Sequence, residues 1–252
     1  MTERFATYPS LAGKVALVTG GASGIGADIV RAFAANKAKV AVLDIDATAG
    51  EALCADVPGT AFIRCNMLDI PALQAAIAKA ALKLGPISIL INNAANDDRR
   101  KVDAVDPEYW DWSQGVNLKH QFFAAQAVRP GMRELGGGAI VNLSSIAWRY
   151  GADEMTAYAT AKSAVIGLTR ALARNFGPDN IRVNCIEPGA VITERQRKLW
   201  FKTQAAIDGI LEKQLLRRVL VGADVANMVM FLTSDDARAI TKQSFIVDAG
   251  LS

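Results

Sequence analysis

The sequence predicts an α/β fold in which helices cover both faces of one parallel β-sheet. Short apolar runs alternate with helical patterns along almost the whole chain, as repeated strand–helix units require. The runs are apolar at consecutive positions, which is typical of parallel strands buried on both faces. The chain has 252 residues, 51% of them hydrophobic, and can bury a large core. With right-handed crossovers, we expect one doubly wound sheet of about seven strands and a single domain over residues 1–252.

Strands and helices are expected to alternate from one end to the other. The strands are predicted at residues 15–18, 39–44, 60–65, 87–91, 139–143, 181–186 and 244–248. The helices are predicted after Gly26 and near residues 47–55, 69–84, 107–133, 156–176, 194–216 and 222–233. Asp69 is an N-cap candidate followed by Pro71 in the first turn, and the glycines at residues 136–138 break the chain after a long helix.

A glycine-rich loop, Thr-Gly-Gly-Ala-Ser-Gly-Ile-Gly at residues 19–26, joins the first strand to the first helix. Glycines allow the backbone to approach a pyrophosphate closely, and the free N–H groups of the helix N-terminus point at it. Asp44 ends the second strand, where a carboxylate can accept hydrogen bonds from both ribose hydroxyls of NAD. No arginine or lysine lies within the loop, so a 2′-phosphate would meet only the negative charge. The sequence therefore predicts a dinucleotide site that prefers NAD over NADP.

A tyrosine and a lysine follow the fifth strand at a helical spacing. Tyr158 and Lys162 are four residues apart and share one helix face. A tyrosine with a pKa of about 10 is a poor base, and a nearby ammonium favours its phenolate form. Ser145 ends the fifth strand and could hydrogen-bond a substrate oxygen. Such a Tyr–Lys pair is usually a surface pair, but its position after a nucleotide loop and a serine favours a catalytic role.

Over nearly its whole length the chain resembles the short-chain dehydrogenases/reductases. The matching motifs are Thr19-Gly20-x-x-x-Gly24-x-Gly26, Asn92-Asn93-Ala94, Asn117, Ser145, Tyr158-Ala-Thr-Ala-Lys162 and Pro188-Gly189-x-x-x-Thr193. The resemblance implies a Rossmann-type fold with Tyr158 as general acid/base and Lys162 lowering its pKa and holding the nicotinamide ribose. It further implies that Ser145 orients the reacting oxygen and that Asn117 supports a water chain that relays the proton.

The resemblance also implies a set of cofactor-binding residues. They are Gly20, Ser23, Gly24, Ile25, Gly26, Asp44, Asn66, Met67, Asn93, Ala94, Tyr158, Lys162, Pro188, Gly189, Val191 and Thr193. The chain departs from the family where Ala95 replaces a usual glycine and where Asn66 replaces a usual aspartate. An amide can still pair with adenine, so Asn66 stays in the set.

Within this family the chain is similar to bacterial aldose (D-xylose-type) 1-dehydrogenases. The stretch at residues 92–99, Asn-Asn-Ala-Ala-Asn-Asp-Asp-Arg, contributes most to this similarity. A sugar needs many hydrogen-bond partners, because unpaired hydroxyls in a dry site weaken binding. The substrate-binding candidates on the expected loops are Asn96, Asp97, Ser145, Trp148, Arg149, Glu154, Tyr158 and Gln196. The resulting interpretation is oxidation of a cyclic aldose at its anomeric C1 hydroxyl to an aldonolactone.

Other interpretations stay open at this point. The substrate could instead be a polyol, another secondary alcohol or a hydroxyacyl compound. A regulatory nucleotide-binding protein without turnover is a third possibility, against which the four catalytic candidates argue. The stretch at residues 97–101 could be a solvated loop, Trp148 and Trp200 could only pack a lid, and His120 is expected to be structural.

Composition disfavours several other classes. The net charge is +3, with scattered basic residues and no aromatic stacking pattern, so no nucleic-acid partner is expected. No run approaches the ~18 apolar residues of a membrane span, and the N-terminus lacks an apolar signal core. Three cysteines without metal-ligand spacing indicate reduced thiols and no metal site, as in a cytoplasmic protein. The resemblance implies a homotetramer.

Overall fold

The computed structural model describes residues 5–252 and confirms the predicted α/β fold. The strands are β1 (Val15–Thr19), β2 (Lys39–Asp44), β3 (Thr60–Arg64), β4 (Ile89–Asn92), β5 (Gly138–Leu143), β6 (Ile181–Pro188) and β7 (Ser244–Val247). The helices are α1 (Gly24–Ala35), α2 (Ala47–Asp56), α3 (Ile70–Leu84), α4 (Pro107–Gln114), α5 (His120–Glu134), α6 (Thr156–Phe176), α7 (Glu194–Leu199), α8 (Gln204–Leu211) and α9 (Gly222–Thr233).

The seven strands form one parallel sheet in the order β3-β2-β1-β4-β5-β6-β7. β1 lies at the centre, where Val18 is paired with Val42 of β2 on one side and with Ile91 of β4 on the other. The chain builds outward from β1 to β3 and then crosses back to β4. The loops that follow β1 and β4 therefore diverge, and they leave a crevice at the carboxyl edge of the sheet.

Both faces of the sheet are buried. On one face, Ile29 and Phe33 of α1 pack with Val225 and Met230 of α9 in one apolar cluster. On the other, residues of α3, α5 and α6 form a second cluster that includes Leu73. All five residues of β1 are buried, as the consecutive apolar pattern predicts. Because helices pack on both faces, the sheet is held rigidly, and so is its carboxyl edge, where the crevice opens.

The predicted helix at residues 107–133 is interrupted by one π-helical turn. The turn, Gly115–Lys119, joins α4 to α5 and carries Asn117. The side-chain amide nitrogen of Asn117 donates to the backbone oxygen of Ser113 at 3.0 Å. The side chain thus occupies a carbonyl oxygen of the preceding helical turn. Side-chain insertion of this kind is a recognised cause of local widening in helices.

The predicted helical stretch at residues 194–216 is two short helices. α7 begins at the cap Thr193, and α8 begins after Thr203, whose hydroxyl accepts a hydrogen bond from the Ala206 N–H at 3.2 Å. A second cap inside the stretch starts a new helix because its side chain replaces the missing helical partner of that N–H. Within residues 5–252, no helix is both long and apolar enough to cross a membrane.

Candidate active site

A cavity of about 1130 Å³ opens at the carboxyl edge of the sheet. Pockets for small ligands commonly measure roughly 300–1,000 Å³, so this one can hold a dinucleotide with a further small molecule. All sixteen cofactor candidates line it: Gly20, Ser23, Gly24, Ile25, Gly26, Asp44, Asn66, Met67, Asn93, Ala94, Tyr158, Lys162, Pro188, Gly189, Val191 and Thr193. The structure thus brings together residues from the ends of five strands and from α6.

The glycine loop makes one wall of the cavity and leaves no room for side chains. The Gly20 N–H donates to the Leu43 oxygen at 2.7 Å, and its φ of +62° is a left-handed conformation. A Cβ on Gly20 would lie 2.7 Å from the Cα of Ala94. A Cβ on Gly26 would collide with the backbone of Gly20. These glycines allow the loop to pack directly against the segment after β4, as a close backbone approach to a pyrophosphate requires.

Asp44 is held beside the glycine loop. Its carboxylate accepts hydrogen bonds from the N–H of Ala22 at 3.0 Å and of Asp46 at 3.1 Å. Among the cavity-lining residues that follow β1, β2 and β3, none is an arginine or a lysine. Asn66 is exposed, and its side-chain oxygen accepts from the Leu68 N–H at 3.1 Å. This end of the cavity therefore presents a carboxylate and no positively charged side chain from the loops after β1, β2 and β3.

The segment after β4 is fixed by polar contacts that the sequence did not indicate. The Thr19 hydroxyl accepts hydrogen bonds from the N–H groups of Asn93 and Ala94, at 3.0 and 3.1 Å. Asn93 in turn donates to the Gly20 oxygen at 2.8 Å. Buried His120 contacts the Ala94 oxygen at 3.0 Å, and burial lowers its pKa to about 4, so it is neutral near pH 7. These contacts place His120 in the support of the loop, in line with the structural role expected.

Asn117 does not line the cavity but supports the loop after β4, which does. Its side chain accepts from the Asn96 N–H at 2.9 Å and donates to the Asn96 oxygen at 3.0 Å. Both hydrogen bonds run to one residue, so they fix the backbone of the loop after β4. Asn117 therefore connects the π-helical turn to a segment that lines the cavity.

Tyr158, Lys162 and Ser145 meet in the cavity. The Lys162 ammonium is buried 5.6 Å from the centre of the Tyr158 ring and donates to the Leu143 oxygen at 2.8 Å. Burial lowers the pKa of Lys162 to about 8, although its neighbours Cys185 and Asp97 oppose this. Burial raises the pKa of Tyr158 well above its ordinary value, while the Ser145 hydroxyl, which hydrogen-bonds it, lowers that pKa. Perturbed groups gathered in one cavity are typical of an active site.

The Asp97 carboxylate ties the segment after β4 to α7. It accepts hydrogen bonds from Gln196 at 2.8 Å, from the Trp200 indole at 3.1 Å and from Arg195 at 3.1 Å. Burial alone would raise the Asp97 pKa, but Gln196 and Arg195 hold it below its ordinary value. Asn96, Asp97 and Gln196 all line the cavity, as predicted. We call these three residues the polar roof. Asp97 and Gln196, which meet in it, are 99 residues apart in the sequence.

Three substrate candidates, Trp148, Arg149 and Glu154, do not line the cavity. Arg149 makes two hydrogen bonds of 2.8 Å to the carboxylate of Glu187, which also accepts from the Trp148 indole at 2.9 Å. Glu187 is fully buried, and a buried carboxylate requires hydrogen-bond donors. Trp148 and Arg149 supply them, so both side chains point away from the cavity. Glu154 instead contributes its backbone oxygen, which accepts from the N–H of Arg100 at 2.8 Å.

Several residues at the site were not selected from the sequence. They are Thr19, Arg99, Tyr150, Glu187, Arg195 and Trp200. The position of Glu187 directly before Pro188-Gly189, and the unusual stretch at residues 92–99, were the available signals. Neither shows which side chain meets which. Among residues 5–252, no group of three or more His, Cys, Asp or Glu side chains could hold a metal ion.

The sheet, the glycine cradle and the acid after β2 define a dinucleotide-binding protein of the Rossmann type. A family model described as enoyl-(acyl carrier protein) reductase matches residues 20–252. A solved structure from Sinorhizobium meliloti 1021, described as a short-chain alcohol dehydrogenase, is 34% identical with a TM-score of 0.92, over 97% of this chain and 98% of that one. The chain belongs to the short-chain dehydrogenase/reductase family.

Two relatives with full-length similarity carry names of sugar dehydrogenases. "Probable galactose dehydrogenase GalD" of Rhizobium meliloti (strain 1021) is 47% identical and covers 100% of both chains. D-xylose 1-dehydrogenase of Caulobacter vibrioides (strain NA1000 / CB15N) is 43% identical over 97% of this chain and 98% of the relative. D-threitol dehydrogenase of Mycolicibacterium smegmatis is 36% identical over 95% and 93%. The protein is therefore an oxidoreductase that acts on CH–OH groups, in a family that uses NAD or NADP.

Proposed function

We propose that the protein is an NAD-dependent aldose 1-dehydrogenase, which oxidises the C1 hydroxyl of a cyclic aldose to an aldonolactone. The observation that carries this proposal is the polar roof of Asn96, Asp97 and Gln196 in the same cavity as Tyr158 and Lys162. Such a roof offers donors and acceptors for the many hydroxyls of a sugar. The sugar dehydrogenase names of the 47% and 43% identical relatives support it.

In the proposed reaction, Tyr158 as phenolate removes the proton of the C1 hydroxyl. Bound NAD supplies the acceptor for the hydride that leaves C1. The single O–H of Ser145 donates to one of two oxygens, that of Tyr158 or the reacting oxygen, and the Ser145 oxygen accepts from the other when that group is protonated. In this way Ser145 holds both at hydrogen-bonding distance. Water then opens the lactone to the aldonic acid.

Lys162 has two roles in this proposal. Its ammonium stabilises the Tyr158 phenolate, because a positive charge in a buried site favours the anionic form of its neighbour. It also lines the cavity that we propose for the cofactor, and its second role in the proposal is to hold the nicotinamide ribose. Asn117 acts as a positioning residue through Asn96, and we propose that it supports the proton relay.

The preference for NAD rests on Asp44 and its surroundings. Its carboxylate faces the cavity beside the N–H groups of the glycine loop, with no basic side chain from the loops after β1, β2 and β3. A 2′-phosphate would there meet an uncompensated negative charge. The glycine cradle at Gly20 and Gly26, which a Cβ would fill, fits the pyrophosphate.

We further propose a homotetramer in the cytoplasm. β7 is an edge strand, where Ile246 is 42% exposed beside Leu215 and Leu216, which are 84% and 63% exposed. An edge strand with apolar neighbours is a surface that a second copy could cover. Free thiols at Cys54, Cys65 and Cys185 suit a reducing compartment. Sedimentation velocity of the purified protein tests the subunit number.

The deciding experiment measures NADH formation by its ultraviolet absorbance. Pentoses, hexoses, 6-deoxy sugars and polyols are supplied in turn, with NADP run beside NAD. A strong rate with one aldose and NAD is expected. Activity with polyols alone would replace the proposal by its alternative, a polyol dehydrogenase, which the 36% identical D-threitol dehydrogenase favours. Bound NAD without any turnover would favour a regulatory protein.

A further inference from the structure

Arg99 lines the cavity, and its guanidinium has no hydrogen-bond partner among residues 5–252. Its Cζ lies 3.9 Å from the centre of the Trp200 ring, so the flat group is stacked and held in one orientation. Its Nε is buried, and among residues 5–252 no acceptor lies within hydrogen-bond distance of it. A buried donor without an acceptor is costly, and it points to a partner that arrives with a ligand.

Two of the three other cations that line the cavity, Arg195 and Lys162, are occupied, and the third, Lys213, is exposed. Arg195 donates to Asn96 at 3.0 Å and to Asp97 at 3.1 Å. Lys162 donates to the Leu143 oxygen at 2.8 Å. Arg99 also differs from its neighbour Arg100, which lies outside the cavity and within 3.8 Å of the carboxylates of Asp98 and Asp106. Arg99 is thus the cation of the cavity whose buried donor has no partner in the described part of the chain.

Arg99 lies in the cavity beside Trp200 and Tyr150. It follows β4 in the loop of the polar roof, and it stacks on the same Trp200 whose indole donates to Asp97. Its charge acts on Tyr150, where burial raises the pKa and Arg99 opposes that rise. The groups that act on the pKa of Tyr158 are instead Ser145, Asp97 and Tyr150. Arg99 therefore acts on the cavity wall formed by Trp200 and Tyr150 and is not among the groups that shift the pKa of Tyr158.

We propose that Arg99 determines specificity by donating hydrogen bonds to hydroxyl groups of the substrate that are remote from C1. The inference rests on the proposed oxidation of an aldose and adds the residue that selects polyhydroxylated substrates over simple alcohols. The planar fork of a guanidinium matches two neighbouring hydroxyl oxygens, and stacking on Trp200 has already restricted its orientation. An alcohol without those hydroxyls leaves the buried donors unpaired and binds less tightly.

The test combines a variant with deoxy substrates. Arg99→Met keeps an unbranched apolar stem on Trp200 but removes the donors, and the substrates are the preferred aldose and its monodeoxy analogues. For wild-type protein, removal of the contacted hydroxyl should lower kcat/KM about tenfold to a hundredfold, mainly through KM. In Arg99→Met, kcat/KM for the complete sugar should fall by the same factor relative to wild type. Removal of the contacted hydroxyl should then lower kcat/KM of the variant little further. NADH affinity, measured by fluorescence titration, should not change.

Arg100→Met is the matched control. Arg100 also stacks on an aromatic ring at 3.9 Å, that of Tyr109, so the variant removes a similar stack outside the cavity. It should leave the pattern of the deoxy sugars as in wild type. If Arg99→Met does not fold by circular dichroism, Arg99→Lys provides the comparison, since lysine keeps the charge and loses the fork.

The inference is overturned if every deoxy sugar loses the same factor in Arg99→Met as in wild type. That result would show that Arg99 only packs Trp200. A failure of the proposed function is visible separately, in wild-type protein that turns over no aldose. In that case wild-type protein and Arg99→Met are compared with the polyol that is turned over. An unchanged KM for that polyol in Arg99→Met again overturns the inference.

Discussion

The two ends of the cavity are built in different ways. At the cofactor end, the glycine loop is held by backbone contacts between neighbouring strands, such as that of the Gly20 N–H with the Leu43 oxygen at 2.7 Å. At the substrate end, side chains from distant segments hold one another, such as Asp97 with Trp200, which are 103 residues apart. Both ends have long-range contacts, but a local glycine pattern marks the first end in the sequence, whereas the second depends on side-chain pairs that no local pattern marks. Variants at the two ends should accordingly fail in different ways.

Tyr158→Phe should separate the two ends most strongly. Loss of the hydroxyl removes the proposed acid/base, and general acid–base catalysis contributes up to about 10⁴-fold, so kcat should fall by about 10³-fold or more. NADH affinity should be retained, because the glycine loop and Asp44 are untouched. Steady-state kinetics and fluorescence titration measure the two quantities. An unchanged rate would remove Tyr158 from the mechanism.

The same difference explains how far the sequence could predict this structure. The glycine loop, Asp44 and the Tyr158–Lys162 spacing are local patterns, and the structure brings them to one cavity. Trp148 and Arg149 lie on a loop that the sequence placed correctly, but their directions depend on Glu187, 38 residues beyond Arg149. No short pattern predicts which side chains will pair with a buried carboxylate near the end of an apolar strand. Sequence therefore predicts which loops meet and leaves the direction of their side chains undetermined.

Arg149→Met should destabilise the substrate end. It leaves the fully buried Glu187 carboxylate without its cation, and breaking a buried ion pair in this way typically costs about 3 kcal/mol or more. The free energy of unfolding, measured by urea denaturation, should fall by about that amount. Arg149→Met combined with Glu187→Gln should recover part of the loss, since the charge is then gone.

A surface pair provides the control for Arg149. Arg218 contacts Asp224 at 2.7 Å, but its side chain is 59% exposed. Arg218→Met should change the free energy of unfolding by no more than about 1 kcal/mol. Equal losses in Arg149→Met and Arg218→Met would show that the Glu187 contacts do not hold the substrate end together.

Lys162→Met should stop turnover and yet stabilise the protein near pH 7. Burial lowers the pKa of Lys162 to about 8 from 10.5, so below pH 8 the folded state carries a charge that its surroundings disfavour. The interval between these pKa values corresponds to a penalty on the order of 3 kcal/mol at most, which disappears as the pH rises from about 8 to about 10.5. The gain in Tm of the variant over wild type should therefore shrink across that range.

Exposed Lys79 on α3 is the control for Lys162. Lys79→Met should leave Tm nearly unchanged at every pH, because an exposed ammonium keeps its hydration in the folded state. A Lys162→Met variant that is less stable than wild type at pH 7 would contradict the prediction. In that event, packing of the lysine stem would outweigh the cost of its buried charge.

Asp44→Asn should produce the smallest change, confined to the choice of cofactor. The amide oxygen can still accept from the Ala22 N–H, so the loop stays in place while the negative charge is lost. The ratio of kcat/KM for NAD to that for NADP should fall about tenfold, because the repulsion of a 2′-phosphate disappears. Asp46→Asn removes the same charge two residues further on, at the cap of α2, and should not change the ratio. If both variants shift the ratio equally, the net charge of this surface governs cofactor choice, and the cofactor end is no longer determined by one local carboxylate.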